Sequence, residues 1–465
     1  MGFTEVVPVD YVMDGEAEKR LVGYVDRVGE TLGNAKRRAS FAIYATGLLG
    51  NAERKSMEPI AALASADEAE VDALHQRLGH FLTDAAWSDR EVRKTAAEHA
   101  ISAMFAREPI EHWIIDDTGF LKQGKHSVGV QRQYTGSAGK IANCQIGVSL
   151  SVSTRSEHLL IDFELYLPQS WTEDAARRKE ARIPETVGFR TKPELALQMV
   201  DRALDDGVPP GVVLADEAYG TSDDFRHALR KRGLDYAVSI NGSTTFWSVD
   251  RNGKVIGRVS WSAKELAEIL GPKAFRRTTW RQGTGSRLSA RFAARRVVAA
   301  HHDGHALAER EVQWLLMEWR DGEEEPAHFY LLTLPPETTR KEMVRVVKER
   351  WRTERAYEDL KGELGLDHFE GRRYSGWHHH ISVALACYAF ITAERVSAFF
   401  PSAECEREGG PNPGETRETL PRVVHHGEAG HCSCPHDVAT ALSELPPRPW
   451  TATSLSSGSG AEVTQ

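Results

Sequence analysis

Residues 113–120, Trp-Ile-Ile-Asp-Asp-Thr-Gly-Phe, set a short apolar run directly against two carboxylates, Asp116 and Asp117. Aromatic and β-branched residues in such a run read as a strand, and an acid at its end is excluded from the core but well placed in the crevice at a sheet's edge. The pattern recurs in Val212-Val213-Leu214-Ala215-Asp216. A third acid, Glu354, follows Arg350-Trp351-Arg352-Thr353 in a stretch of helical periodicity. Two strand ends and a helix each offering a carboxylate form an oxygen-only donor set. Such a set suits Mg²⁺ or Mn²⁺, hard cations that activate water and hold the leaving oxygen of a phosphodiester. Taken singly, Asp-Asp-Thr-Gly also reads as a turn, and Asp216 as the start of the next helix.

Working outward, residues 17–108 show apolar spacing of three and four, notably Ala17 to Leu49 and Glu68 to Asp84, with a capped start at Ser88-Asp89-Arg90-Glu91. Strands are expected at 112–116, 127–134, 141–153 and 157–166, punctuated by Gly124, Gly136 and Gly139. Helices near 193–204 and 223–232 then alternate with strands at 212–215 and 235–240. The stretch 241–328 carries turn signals between β-type runs, and Phe329 to Leu334 returns as a strand. One long helix from about Lys341 to Leu364 and an apolar helix from Ile381 to Phe399 complete the pattern. Beyond Pro401 the composition turns to Gly, Pro, Glu and Ser, which predicts a mostly disordered tail. The fold class expected is α/β: a mixed sheet with helices, an all-α N-terminal region, and a β-rich insertion between the second and third acids.

A chain of 465 residues with 41% apolar residues is long enough for two or three structural units. No apolar run of membrane-spanning length and no basic-then-apolar leader occurs, and five sparse cysteines argue against a disulfide framework. A cytoplasmic, nucleoid-associated protein with no membrane partner is expected. The formal net charge of -9 describes solubility, whereas binding depends on where cations cluster. Seven arginines (276, 277, 281, 287, 291, 295 and 296) crowd between Arg276 and Arg296 without an acid. An exposed arginine-rich hairpin explains this run without a ligand.

Along the third segment Arg350, Glu354, Glu358 and Lys361 fall on one helical stripe. An ion-paired exposed face is the plain account of it. Trp351, Val344 and Val347 alongside indicate a helix packed closely on the sheet.

Together these residues resemble the DDE transposases with a ribonuclease-H-like core, most closely the insertion-sequence 701-type group of the insertion-sequence-4 superfamily. The segments that carry the resemblance are GLLGNAERKSMEPIA at 47–61, IIDDTGFLKQGKHSVGVQRQYTGSAGKIANCQIGVSL at 114–150, VVLADEAYG at 212–220 and RWRTERAYEDLKGELGLDHFEGRRYSGWHHH at 350–380. The superfamily pattern of Tyr, Arg, Glu and Lys is matched by Arg350, Glu354 and Lys361, with Val347 at the tyrosine position. The resemblance selects Glu354 over Glu358 and favours Asp116 as first acid, with Asp117 as the alternative and Asp216 as the second. It implies two Mg²⁺ or Mn²⁺ ions per site, double-stranded DNA (transposon ends and target) as partner, and a dimer in the synaptic complex. Arg350 and Lys361 are expected to grip phosphate near the scissile bond, Arg by its planar fork and Lys as a point charge.

The same resemblance assigns the insertion to DNA contact, through Arg276, Arg277, Arg281, Arg287 and Arg291. If all seven arginines reached phosphates, the log-log salt slope would be about -6. Trp280 is expected either to stack on an unpaired base or to pack inside the hairpin. The implied organisation is a helical end-binding region at 1–108, a catalytic core at 109–241 and 329–399, a basic insertion at 242–328 and a tail at 400–465. Rival readings are a transposase-derived DNA-binding protein that no longer cuts, and a stand-alone metal-dependent nuclease.

Other signals carry less. Gly119 to His126 lacks the hydroxyl that a phosphate-cradling loop needs, and Gly283-Thr284-Gly285 lacks the third glycine of a dinucleotide site. The His/Cys residues at 425–436 have poor zinc spacing, and His378-His379-His380 reads as a polar or phosphate-facing helix start.

Overall fold

A computed structural model describes residues 15–65, 67–257, 259–282, 287–300 and 311–399. The expected disordered tail, with its His and Cys residues, and Gly283-Thr284-Gly285 lie outside the described residues. The N-terminal part is helical: α1 (Gly15–Glu30), α2 (Ala35–Leu49), α3 (Met57–Ala64), α4 (Glu68–Thr83) and α5 (Asp89–Phe105). The periodic stretch from 17 to 49 is two helices rather than one. Gly33 adopts φ 82°, a conformation that favours glycine, and the Asn34 side chain caps α2 by accepting from the Arg37 amide.

Four strands follow: β1 (His112–Leu121), β2 (Gln131–Thr135), β3 (Lys140–Ser153) and β4 (His158–Tyr166). β3 runs antiparallel to β1 on one side, and to β2 and then β4 on the other. After α6 (Gln169–Thr172), α7 (Ala175–Ala181) and α8 (Lys192–Asp205) comes β5 (Val212–Ala215), then α9 (Glu217–Gly220), α10 (Asp223–Lys231) and β6 (Tyr236–Ile240). β5 lies parallel to β1, and β6 parallel to β5. The order β4-β3-β1-β5-β6, with β3 antiparallel to its neighbours, is the mixed sheet of a ribonuclease-H-like core.

The β-rich stretch extends this sheet. β7 (Thr245–Ser248), β8 (Trp261–Ser262), α11 (Ala263–Leu270), β9 (Arg276–Gln282), β10 (Arg287–Ala299) and β11 (Val312–Trp319) precede β12 (His328–Leu332). β12 pairs antiparallel with β6, β11 with β12 and β10 with β11, so one sheet of twelve strands runs from β2 to β8.

Helices α12 (Arg340–Lys348), α13 (Trp351–Leu364) and α14 (Tyr374–Phe399) close the described chain. The single helix expected from Lys341 to Leu364 is broken at Glu349 and Arg350. Met343, Val344, Val346 and Val347 of α12 form one apolar cluster with Ile114, Leu214, Phe292 and Leu332 on one face of the sheet. α13 docks instead over β3 and β4, through buried hydroxyls. One continuous helix axis does not serve both seats.

α14 is buried on nearly every side, among the N-terminal helices and β4, and the second and larger cluster joins it to α5, α8 and the opposite sheet face. This corrects the reading of His378-His379-His380 as a polar, phosphate-facing start: all three are buried. His379 stacks on Trp87 with ring centroids 3.7 Å apart, and a ring nitrogen of His380 lies 2.9 Å from the Tyr44 hydroxyl. Three imidazoles near the start of a helix look hydrophilic in sequence, but here backbone carbonyls and a tyrosine satisfy His379 and His380 inside the core, and His378 faces Asp89 at 3.7 Å.

Candidate active site

The parallel ladder aligns the first two acids. Ile114 pairs with Leu214, so Asp116 and Asp216 each lie two residues beyond the same rung; Asp216 follows the end of β5, whereas Asp116 stands in the middle of β1, a strand expected to stop at 116 that stays paired with β3 as far as Leu121. Side chains alternate along a strand, and both acids therefore share the face of Ile114 and Leu214, the face covered by α12. Asp216 also caps α9, accepting from the Ala218 amide at 2.9 Å.

The third acid approaches from above. Arg350 precedes α13, with its Nη1 2.9 Å from Oδ2 of Asp116 and its Nη2 3.5 Å from Oε1 of Glu354. Its guanidinium is held charged chiefly against the cost of burial by Asp116, then Asp216 and Glu354. Three acids far apart in the chain, at 116, 216 and 354, thus meet around one cation. Asp116 is 6% exposed, whereas the Glu354 side chain is 64% exposed. Burial pushes the Asp116 carboxyl up to about 7, against the pull of Arg350 and with Asp216 and Asp117 adding to the rise. Burial likewise raises Asp216.

Asp117 points to the other face. Its Oδ2 lies 3.0 Å from Lys192 Nζ on α8 and accepts from the Tyr219 hydroxyl at 3.1 Å. Glu358 is exposed and lies 3.5 Å from Arg355. Lys361 ties α13 to β1, its Nζ donating to Thr118 Oγ1 at 2.8 Å and to the Gly119 carbonyl at 2.9 Å. Val347, at the family's tyrosine position, is buried in the apolar face of α12.

Sequence reasoning missed what seats α13. Ser149 Oγ meets the Tyr357 hydroxyl at 2.5 Å, and Ser151 Oγ meets Thr353 Oγ1 at 3.1 Å. His158 Nε2 lies 2.9 Å from Ser151 Oγ and 3.0 Å from Thr353 Oγ1. All five side chains are buried. The available signal was the alternation Ser149, Ser151, Ser153 in an otherwise apolar strand: hydroxyls on one face need polar partners.

The arginine run divides between the two sheet faces. Arg276 lies opposite Phe292 and Arg281 opposite Leu288, on the face of α12, and the Arg281 guanidinium sits 3.9 Å from the centroid of the Trp351 ring. Arg277 and Arg291, opposite one another, take the other face. There Arg277 pairs with Asp321 at 2.8 Å and Arg291 lies 3.9 Å over the Trp319 ring. The side chain of Arg287 lies outside the described residues. Trp280 packs edge-on against Phe292 at 5.8 Å, with Lys348 Nζ 4.7 Å above its ring. It is half-buried beside the α12 cluster, as the packing alternative has it.

Carboxylate oxygens on two strand ends and one helix are hard donors suited to Mg²⁺ or Mn²⁺. Among the described residues no three His, Cys, Asp or Glu side chains stand close enough to hold an ion by themselves. The Arg350 guanidinium occupies the cationic position between Asp116 and Glu354. Asp116, Asp216 and Glu354 are chemically suited to a divalent ion and are the residues that would hold it, but only with Arg350 displaced from between them. No described helix is long and apolar enough to cross a membrane.

Residues 186–390 match the transposase DDE domain. Over 205 residues the chain is 29% identical to the "Probable transposase for insertion sequence element IS701" of Microchaete diplosiphon, covering 44% of this chain and 49% of that protein. The chain therefore spans about half the length of that relative. Residues 27–287, more than half of the chain and including both aspartates, match the DDE superfamily endonucleases, and the chain belongs to that family.

Proposed function

We propose that this chain is a DNA transposase that binds the terminal inverted repeats of an insertion sequence, cleaves at their ends and joins the freed 3′ hydroxyl to target DNA. The observation that carries the reading is the meeting of Asp116, Asp216 and Glu354 around Arg350, where the pairing of β1 with β5 stops. Divalent ions, two in a complete site, supply Lewis acidity toward the scissile phosphate when held by these acids. The chain's own part is to hold three carboxylates in one crevice and to present cations to the DNA backbone. Arg350 is placed to exchange its carboxylate partners for phosphate oxygens, its planar fork matching either. Lys361 fixes the backbone of β1 just beyond Asp116. Arg276 and Arg281 flank the acids on the same sheet face and suit phosphates of the bound end. Two copies would bring two ends together at the nucleoid.

A supercoiled plasmid carrying candidate ends, incubated with the protein and Mg²⁺ or Mn²⁺, tests this. End-specific nicks and joined products are expected. Random nicks would instead indicate a stand-alone nuclease, and retention without cleavage a DNA-binding derivative.

A further inference from the structure

From Thr118 to Ser156 the chain contains no Asp or Glu, against five cations: Lys122, Lys125, Arg132, Lys140 and Arg155. Much of this stretch is the β2–β3 hairpin, in which Gln131–Thr135 pairs with Lys140 to Cys144 around a tip at Gly136–Gly139. Lys125, Arg132 and Lys140 are exposed and, among the described residues, form no ion pair. Other lysines near the site behave differently: Lys192 and Lys348 are engaged with Asp117 and Glu318. Tyr134 and Ile141 stand opposite one another across the hairpin, 65% and 60% exposed.

The hairpin is fixed beside the acids. Ser137 Oγ donates to the Gly119 carbonyl at 3.3 Å and lies 2.9 Å from Thr135 Oγ1. A Cβ on Gly119 would come within 2.0 Å of Thr135 Oγ1, so the two backbones approach as closely as glycine allows. Gly119 is three residues past Asp116, roughly 10 Å along a strand. In the sheet, β2 and β3 lie on one side of β1, while β9 and β10 lie on the other, beyond β5, β6, β12 and β11. By register Arg132, Tyr134 and Ile141 share the sheet face of Asp116 and Lys140 takes the other, so the acids have the hairpin's cations on one side along the sheet and the insertion's arginines on the other.

We propose that the β2–β3 hairpin is a second DNA-contacting surface, gripping the backbone of the duplex where it continues past the scissile phosphate, away from the arginine-bearing insertion. This rests on the DNA-cleaving function proposed above. Unpaired cations match phosphates, and an exposed tyrosine offers an apolar body with a polar tip for the sugar edge. A second copy of the chain is the poorer occupant. A two-fold interface sets the same patch against itself and would oppose cations that have no acid among them.

The test is the salt dependence of binding to a fluorescein-labelled duplex of arbitrary sequence, read by anisotropy for the full chain. The variant Lys125→Gln/Arg132→Gln/Lys140→Gln is expected to flatten the log-log slope by about 2 to 3, at about 0.9 per phosphate released. Tyr134→Ser should weaken binding without changing the slope. The equally exposed Lys231→Gln, on α10, should leave both unchanged. An unaltered slope in the triple variant overturns the inference while leaving the proposed function standing. So does an unaltered slope accompanied by loss of a dimer in sedimentation, which would make the hairpin an interface between copies. If the wild-type chain fails to bind the duplex, the underlying function falls and the hairpin surface with it.

Discussion

Arg350 and Asp116 form a largely buried ion pair at 2.9 Å that joins the start of α13 to the middle of β1. The pair is a structural strut as well as part of the site, because Asp116 and Asp216 otherwise bring two acids into one crevice without a counter-charge. Arg350→Ala should therefore destabilise the fold by about 3 kcal/mol or more, the order seen when one partner of a buried pair is removed. Adding Asp116→Asn should recover part of that loss, since the stranded charge is gone. A double-mutant cycle by urea unfolding measures the coupling, and simple additivity would count against the strut.

Asp116 and Asp117 separate by face, which makes them separable by experiment. Asp116→Asn and Glu354→Gln should each lower end nicking roughly 100-fold or more, as expected when a group acting in the transition state is lost. Asp117→Asn, which touches Lys192 and Tyr219, should retain most of the rate. Glu358→Gln should also be nearly silent. DNA retention in a gel-shift assay should persist in all four. Normal nicking by Asp116→Asn together with loss in Asp117→Asn would reverse the assignment.

The end of β5 at Asp216 was legible, because an apolar run stopped by an acid fits a buried strand that emerges at a crevice, but β1 was expected to end at Asp116 and runs on to Leu121, since residues 117–121 keep their pairing with β3. The mixed character of the sheet followed from the run of strands before residue 166 and the alternation of helix and strand after residue 190. The break at Glu349 and Arg350 was not legible. The stripe of Arg350, Glu354, Glu358 and Lys361 continues helical spacing, and only the different seats of α12 and α13 require two helices. Nor did the arginine run disclose its division between faces, because that depends on the register of β9 against β10 and the irregularity between Leu288 and Ser289. The histidines at 378–380 misled for a related reason: their partners come from Leu82, Trp87 and Tyr44, far away in the chain.

Stability should respond to pH through Asp116. Burial raises its carboxyl to about 7 despite Arg350, whereas an aspartate in the unfolded chain titrates near about 3.9. The folded state holds this proton more tightly, so the stability it contributes is complete below about pH 4 and is lost as pH rises toward about 7. Asp216, also raised by burial, acts in the same direction. In a chelating buffer, whatever the offset left by losing the partner of Arg350, the melting gap of Asp116→Asn over wild type should shift in the variant's favour as pH rises from about 4 to about 7. A gap that widens on acidification would contradict the raised carboxyl.

The hydroxyl ladder under α13 makes Thr353 and Tyr357 positioning residues for Glu354, whose own side chain is exposed and has no apolar seat. Thr353 is fully buried between Ser151 and His158, and it is the residue immediately before Glu354. Thr353→Val keeps the shape but removes the hydroxyl, leaving Ser151 and His158 short of a partner at a cost of about 1 to 3 kcal/mol. Tyr357→Phe does the same to Ser149. If the ladder fixes the height and rotation of α13 above β1, both variants should slow nicking of a pre-bound end while leaving duplex affinity unchanged, and Thr353→Ser should restore the rate. Equal nicking rates in Thr353→Val and wild type, at a temperature where both are folded, would reduce the ladder to a packing feature.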